Sequence, residues 1–279
     1  LRLGAITDEF SADPETAAAA MREAGLETAE LRMLWGRNVL DLSDAELDRA
    51  LLLLEKQRLV VDCIASPLLK CALPDAPEID GRFQQDVFAS RHTFEDQARL
   101  AERAFGIAKR AGARIVRVFS YWRTVDPDAV FERIVTALRE LAARAAEHDL
   151  IIGVENEHAC NISTARDAAR VLAALDHPNI QLVWDPANAL VAGEAPFPNG
   201  LPLLPLERIA HVHAKDYANG QWLELGDGQV GWEPQIAALA RGGYRGDINL
   251  ETHWAGPRGD KMEASRLCAR RLRQMVAAV

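Results

Sequence analysis

Short apolar runs recur along the whole chain, separated by longer segments with helical signals, and that alternation leaves few folds open. The runs fall at 3–7, 28–32, 60–66, 115–120, 151–155, 180–185, 209–215 and 248–253. Each is short and rich in Val, Ile and Leu, as strands covered on both faces are. The segments between them carry helix punctuation. Asp13-Pro14-Glu15 offers an N-cap followed by proline at the first helical position, and Asp126-Pro127-Asp128 repeats it. Ser43 with Glu46 has capping-box spacing. Val130, Ile134, Leu138, Leu141 and Ala145 form one apolar stripe, and a last helix is expected over about 261–276.

Eight βα units without a break predict an α/β fold of the closed (β/α)8 TIM-barrel kind, one domain over residues 1–279. The rival is an open doubly wound sheet. It is disfavoured because no G-x-G-x-x-G or Walker A loop is present and polar residues sit late in several strands. Two connections exceed what a barrel needs. Residues 67–91, with three prolines, follow the third strand; residues 186–205, with five, follow the sixth. Both would lie on the C-terminal face, where barrel loops carry chemistry.

Composition narrows the partners. A formal charge of −9 argues against a nucleic-acid surface, which needs clustered Lys and Arg. No window approaches the ~18 apolar residues of a membrane helix, and residues 1–7 lack the basic start and apolar run of a signal peptide. Cys63, Cys71, Cys160 and Cys268 are scattered, without a C-x-x-C pair. The expectation is a cytoplasmic protein in a reducing compartment, with neither membrane nor nucleic acid as partner.

Four consecutive strands end in charged or imidazole side chains: Glu155 in the fifth, Asp185 in the sixth, His213 in the seventh and Glu251 in the eighth. Alternation puts Glu157 on the same side as Glu155, His211 and Lys215 with His213, and Asn249 and His253 with Glu251. In a closed parallel barrel these ends converge around the axis. Three carboxylates buried together repel one another, and one divalent metal removes the conflict.

The motifs Gly-Val-Glu-Asn around Glu155, Trp-Asp-Pro-Ala-Asn around Asp185, His-Val-His-Ala-Lys-Asp around His213 and Asn-Leu-Glu-Thr-His around Glu251 resemble the sugar phosphate isomerase/epimerase family of xylose isomerase-like barrels. Thr7-Asp8-Glu9 and Ser66-Pro67-Leu68-Leu69-Lys70 resemble it too, so the likeness covers nearly the whole chain. That group includes ketose 3-epimerases, hydroxypyruvate isomerases and keto-inositol dehydratases, and is related to endonuclease IV. The resemblance implies one divalent ion held by Glu155, Asp185, His213 and Glu251, with Glu155 and Glu251 doubling as the acid/base pair. Oxygen-rich ligation with one imidazole favours Mn²⁺, Mg²⁺ or Co²⁺ and admits Zn²⁺.

The activity expected is a metal-dependent isomerase or epimerase of a sugar or sugar phosphate, working through an enediolate. The alternative is a dehydratase or lyase on a keto-sugar or keto-inositol, using the same intermediate. A non-catalytic sugar-binding barrel and an endonuclease IV-like nuclease are weaker readings, the latter for its charge. The ketose epimerases carry a substrate-contacting histidine three residues after the metal-binding aspartate, and Asn188 stands there. Lys70, Lys215, Asn188, Glu157, His253 and Arg258 are candidate contacts to a carbohydrate or keto-polyol. Their alternatives are solvated rim residues or, for Lys215, an ion pair with Asp216. Arg117, inside the fourth strand, is either a buried ion-pair partner or a substrate contact. Family members commonly form dimers or tetramers, so a homodimer or homotetramer is expected.

Overall fold

The computed structural model describes residues 1–84 and 91–279. Eight parallel strands close on themselves: β1 (Leu3–Ile6), β2 (Thr28–Leu31), β3 (Val60–Leu68), β4 (Ile115–Val118), β5 (Ile151–Glu155), β6 (Ile180–Trp184), β7 (Ile209–Ala214) and β8 (Asp247–Leu250). They pair in the circular order β1-β8-β7-β6-β5-β4-β3-β2, so no barrel strand is left with an open edge. Every apolar run in the sequence supplies one strand. The barrel is a (β/α)8 TIM barrel.

The helices around it are α1 (Pro14–Glu23), α2 (Asp44–Lys56), α3 (Gln97–Ala111), α4 (Phe131–Ala146), α5 (Ala165–Ala174), α6 (Pro186–Val191), α7 (Trp232–Arg241) and α8 (Lys261–Ala277). The Asp13 carboxylate accepts from the backbone N–H of Thr16 at 3.0 Å, starting α1. Ser43 and Glu46 cap each other reciprocally at the start of α2. The Asp126-Pro127 signal opens a short 3₁₀ turn (Pro127–Val130) that leads into α4. The stripe from Val130 to Ala145 is buried, as its spacing requires.

Two connections differ from the sequence reading. β3 continues to Leu68, and residues 85–90 of the connection after it lie outside the described residues. The connection after β6 is not loop throughout but opens with α6. Its start carries the same Asp-Pro pair as α1: Asp185 accepts from the N–H of Asn188 at 2.8 Å, with proline at the first helical position. Small hairpins, Met33–Leu34 with Arg37–Asn38 and Asp216–Ala218 with Gln221–Leu223, rise from the C-terminal ends of β2 and β7.

The outward faces of the strands and the inward faces of the helices form one apolar layer. The barrel interior is different. Thr28, Glu30, Asp62, Arg117, Glu155, His211, His213 and Asn249 are all buried, where barrels usually stack branched aliphatic side chains. Gly4 makes room for this polar fill. It pairs with Thr28 on one side and Asn249 on the other, and the Thr28 hydroxyl donates to Asn249 Oδ1 across it at 3.1 Å. A Cβ on Gly4 would lie 2.1 Å from Thr28 Oγ1 and 2.3 Å from Asn249 Oδ1. Gly4→Ala is therefore expected to lower the unfolding free energy by about 1–3 kcal/mol, read from urea denaturation.

Candidate metal centre

Four strand ends deliver the predicted set. Glu155 is the last residue of β5, Asp185 follows β6, His213 lies near the end of β7, and Glu251 follows β8. One ligand atom from each falls within 4.8 Å of all the others, and all four residues are buried. His213 Nδ1 is 3.2 Å from Glu155 Oε1, 3.7 Å from Glu251 Oε2 and 4.0 Å from Asp185 Oδ2.

Basic side chains surround these carboxylates. Lys215 Nζ lies 2.8 Å from Asp185 Oδ2 and 2.6 Å from Glu251 Oε2. Arg117 reaches the outer oxygen of Glu155 at 3.1 Å and donates to the carbonyls of Ala65 and Ser66, which makes it a buried ion-pair partner. Arg32 holds Glu251 Oε1 at 2.8 Å while also pairing with Asp8 and Glu9. Each glutamate thus keeps one oxygen toward His213 and the other against an arginine.

Burial works against the Lys215 ammonium, but Asp185, Glu251 and Glu155 outweigh it and raise its pKa. Burial, joined by Glu155 and Glu251 and only partly offset by Lys215 and His213, pushes the Asp185 carboxyl up to about 6. The pKa of the His213 ring is raised as well, its burial outweighed by the charges of Glu30 and Glu155. Three carboxylate oxygens with one imidazole nitrogen are the donors a divalent cation takes. The four residues fit such an ion.

The rest of the predicted set distributes unevenly. Asn188, fully buried, donates to Glu155 Oε1 (3.3 Å), Glu157 Oε2 (3.3 Å) and the Asn156 carbonyl (3.1 Å). His158 Nδ1 sits 3.0 Å from Asn188 Oδ1 and 2.9 Å from Glu157 Oε1. Lys70 lies over the Phe119 ring, 4.0 Å from Glu157. His253 stands on the opposite wall, 3.6 Å from Glu251 and edge-on to Trp222. Lys215 points inward, and Asp216 instead accepts from the backbone N–H groups of Tyr217, Gly226 and Val230. Arg258 is not brought in: its side chain is 86% exposed and pairs with Glu263 at 3.5 Å.

A cavity of about 630 Å³ opens above Glu251, with Arg32, Lys70, Arg117, Glu157, His158 and His253 in its walls and Phe119 and Trp222 as apolar surfaces. That volume lies in the range of small-molecule sites.

Sequence reasoning missed Arg32, Glu30 and Asp62. Thr28-Ala29-Glu30-Leu31-Arg32 alternates polar and apolar residues, and a strand covered on both faces has no reason to do so unless its inner face is polar. Beneath the four residues, Glu30 Oε2 lies 2.9 Å from both His211 Nε2 and His213 Nε2, a second group whose atoms could hold a metal. Asn249 links Glu30 to Asp62, donating to Asp62 at 2.9 Å.

The fold and the site together define a closed α/β barrel whose strand ends gather four side chains that could hold a metal ion. A model of the xylose isomerase-like TIM barrel matches residues 18–272, and the chain belongs to that family. Among curated proteins, an inosose dehydratase from Lacticaseibacillus casei is 26% identical over 145 residues, 44% of this chain and 47% of the relative. An inosose dehydratase from Lactiplantibacillus plantarum is 21% identical over 196 residues, 63% of each chain. The matched stretches thus span about half to two thirds of those relatives. Among solved structures, the IolI protein with a bound zinc atom superposes with a TM-score of 0.78 at 14% identity, covering 100% of this chain and 99% of its own, a likeness of fold.

Two outcomes follow from the buried charges. Lys215→Met leaves Asp185 and Glu251 without their closest cation, and chelator-treated protein is expected to lose about 3–5 kcal/mol of unfolding free energy in a denaturant titration. Asp62 is pushed up to about 6 from 3.8 by burial first, with Glu30 and Asp247 adding to it against His211. Because the folded pKa is the higher one, its stabilisation is complete below about pH 4 and is lost as pH rises through about 6. Asp62→Asn is expected to remove a falling slope of up to about 1.4 kcal/mol per pH unit in that window, measured by urea unfolding at a series of pH values.

Proposed function

We propose that this barrel is a divalent-metal-dependent dehydratase acting on a keto-inositol or closely related keto-sugar. What carries the reading is the paired glutamates. Glu155 and Glu251 offer ligand atoms within 4.8 Å of each other, each has its other oxygen held by an arginine, and Glu251 lines a cavity of about 630 Å³. Similarity to two inosose dehydratases favours water loss over simple isomerisation. The isomerase or epimerase activity expected from the motifs would use the same two glutamates and has no comparable support from the curated relatives.

In this reading Glu155, Asp185, His213 and Glu251 hold the ion. Bound there, the ion would stabilise the negative charge that develops on a substrate carbonyl and its neighbouring oxygen when the adjacent C–H is deprotonated. One glutamate takes that proton, and the electron pair left on carbon becomes the C=C bond of an enediolate. Collapse of the enediolate expels the hydroxyl at the β carbon, which leaves as water with a proton from an acid in the wall. Arg117 and Arg32 keep the two carboxylates aimed. Asn188, unable to carry a proton, fixes Glu155 by its amide hydrogens and links it to His158. Lys70, Glu157, His158 and His253 are placed to hydrogen-bond the ring hydroxyls. The oxygen-rich donor set favours Mn²⁺, Mg²⁺ or Co²⁺, with Zn²⁺ as the other candidate.

The test is metal analysis of the purified protein, followed by incubation with a panel of keto-inositols and ketoses in D₂O. The expected result is one product lighter by one water. Deuterium uptake without mass loss would transfer the assignment to an isomerase or epimerase. Glu155→Gln and Glu251→Gln are expected to lower kcat by about 10²–10⁴-fold each. No bound ion, and full turnover in both variants, would overturn the proposal.

A further inference from the structure

We propose that Glu30 is a positioning residue for the metal centre: by accepting a hydrogen bond from His213 Nε2, it leaves Nδ1 as the lone-pair nitrogen aimed at Glu155, Asp185 and Glu251. The inference rests on the metal reading of those four residues and extends it to a residue outside them.

The geometry is direct. Glu30 lies on β2, fully buried, with Oε2 2.9 Å from His213 Nε2, while His213 Nδ1 faces the three carboxylates at 3.2 to 4.0 Å. An ionised carboxylate has no hydrogen to give, so the nitrogen it faces must carry one. With an ion in place of the Nδ1 proton, the imidazole is neutral and has a single N–H. Placing it on Nε2 leaves Nδ1 unprotonated, which a metal requires, and the carboxylate behind the ring raises the basicity of the donor nitrogen.

Glu30 is itself locked. His211 Nε2 meets the same oxygen at 2.9 Å, its ring edge-on to that of His213 with centroids 5.1 Å apart. Asn249 Nδ2 adds a third, longer contact at 3.4 Å. The competing interpretation is a second ion held by Glu30, His211 and His213. It would need Nε2 of His213 to lose its proton to that ion, and both separations from Glu30 already have hydrogen-bond length.

The experiment uses the full chain as wild type, Glu30→Gln and Asp62→Asn. Glutamine keeps the shape and one acceptor oxygen but removes the charge. Asp62 belongs to the same buried network without touching His213. Co²⁺ binding is measured by competition with a chelating indicator and by visible absorption, and the protonation of His213 by ¹⁵N NMR of the zinc-loaded protein. We expect one ion per chain, Nε2–H on His213, affinity weakened about 10–100-fold with a shifted cobalt spectrum in Glu30→Gln, and affinity unchanged in Asp62→Asn. Equal affinity in wild type and Glu30→Gln overturns the role of Glu30 while the metal reading stands. So does an equal loss in Asp62→Asn, a proton on Nδ1, or two ions per chain. Absence of any ion from wild type overturns both. If Glu30→Gln does not fold, the protonation of His213 in zinc-loaded wild type decides alone.

Discussion

A carboxylate buried without a counter-charge is unstable, and this barrel buries many. Glu30, Asp62, Glu155, Asp185 and Glu251 all lie inside the closed sheet or at its mouth, out of water. Everything else about the site answers that constraint. Arg32 spans Asp8, Glu9 and Glu251; Arg117 spans Glu155 and two strand carbonyls; Lys215 sits between Asp185 and Glu251. Even with these cations, burial keeps the Asp185 carboxyl raised to about 6.

The apolar and polar parts of the molecule do different work. Helices packed on the outer faces of the strands supply most of the area removed from water, and that burial holds the barrel closed. The interior gives up aliphatic packing for a connected set of hydrogen bonds running from Thr28 and Asn249 through Glu30 to His213 and the metal-binding residues. Such a network costs stability wherever a member is unsatisfied, and in return it fixes side-chain orientation to within a hydrogen-bond angle. A chemical centre at the mouth of the barrel benefits from that rigidity, because its donors come from four different strands and no single element could align them.

Asn188 shows how local and long-range structure meet. The Asp185-Pro186 pair begins α6, and the first turn of that helix carries Asn188 back over Glu155, where it donates to two glutamates. A histidine at this position could exchange a proton with a substrate. The amide can only orient its neighbours, Glu155 and His158.

The fold was legible because strand burial on both faces produces continuous apolar runs, and each of the runs became a barrel strand. The convergence of Glu155, Asp185, His213 and Glu251 was legible because strands of equal period end together. Helix starts at Asp13-Pro14 and at Ser43 with Glu46 were legible because capping is local. What the sequence left open depended on distance across the barrel. Arg117 became an ion-pair partner, and Lys215 turned to Asp185 and Glu251 in preference to its neighbour Asp216. Glu30 met His213 although 183 positions separate them, and Arg258 stayed in solvent. Periodicity records which face a side chain takes. Which charge it meets there is decided only when the closed sheet brings β2 opposite β7, because charge pairing is a property of separation in space.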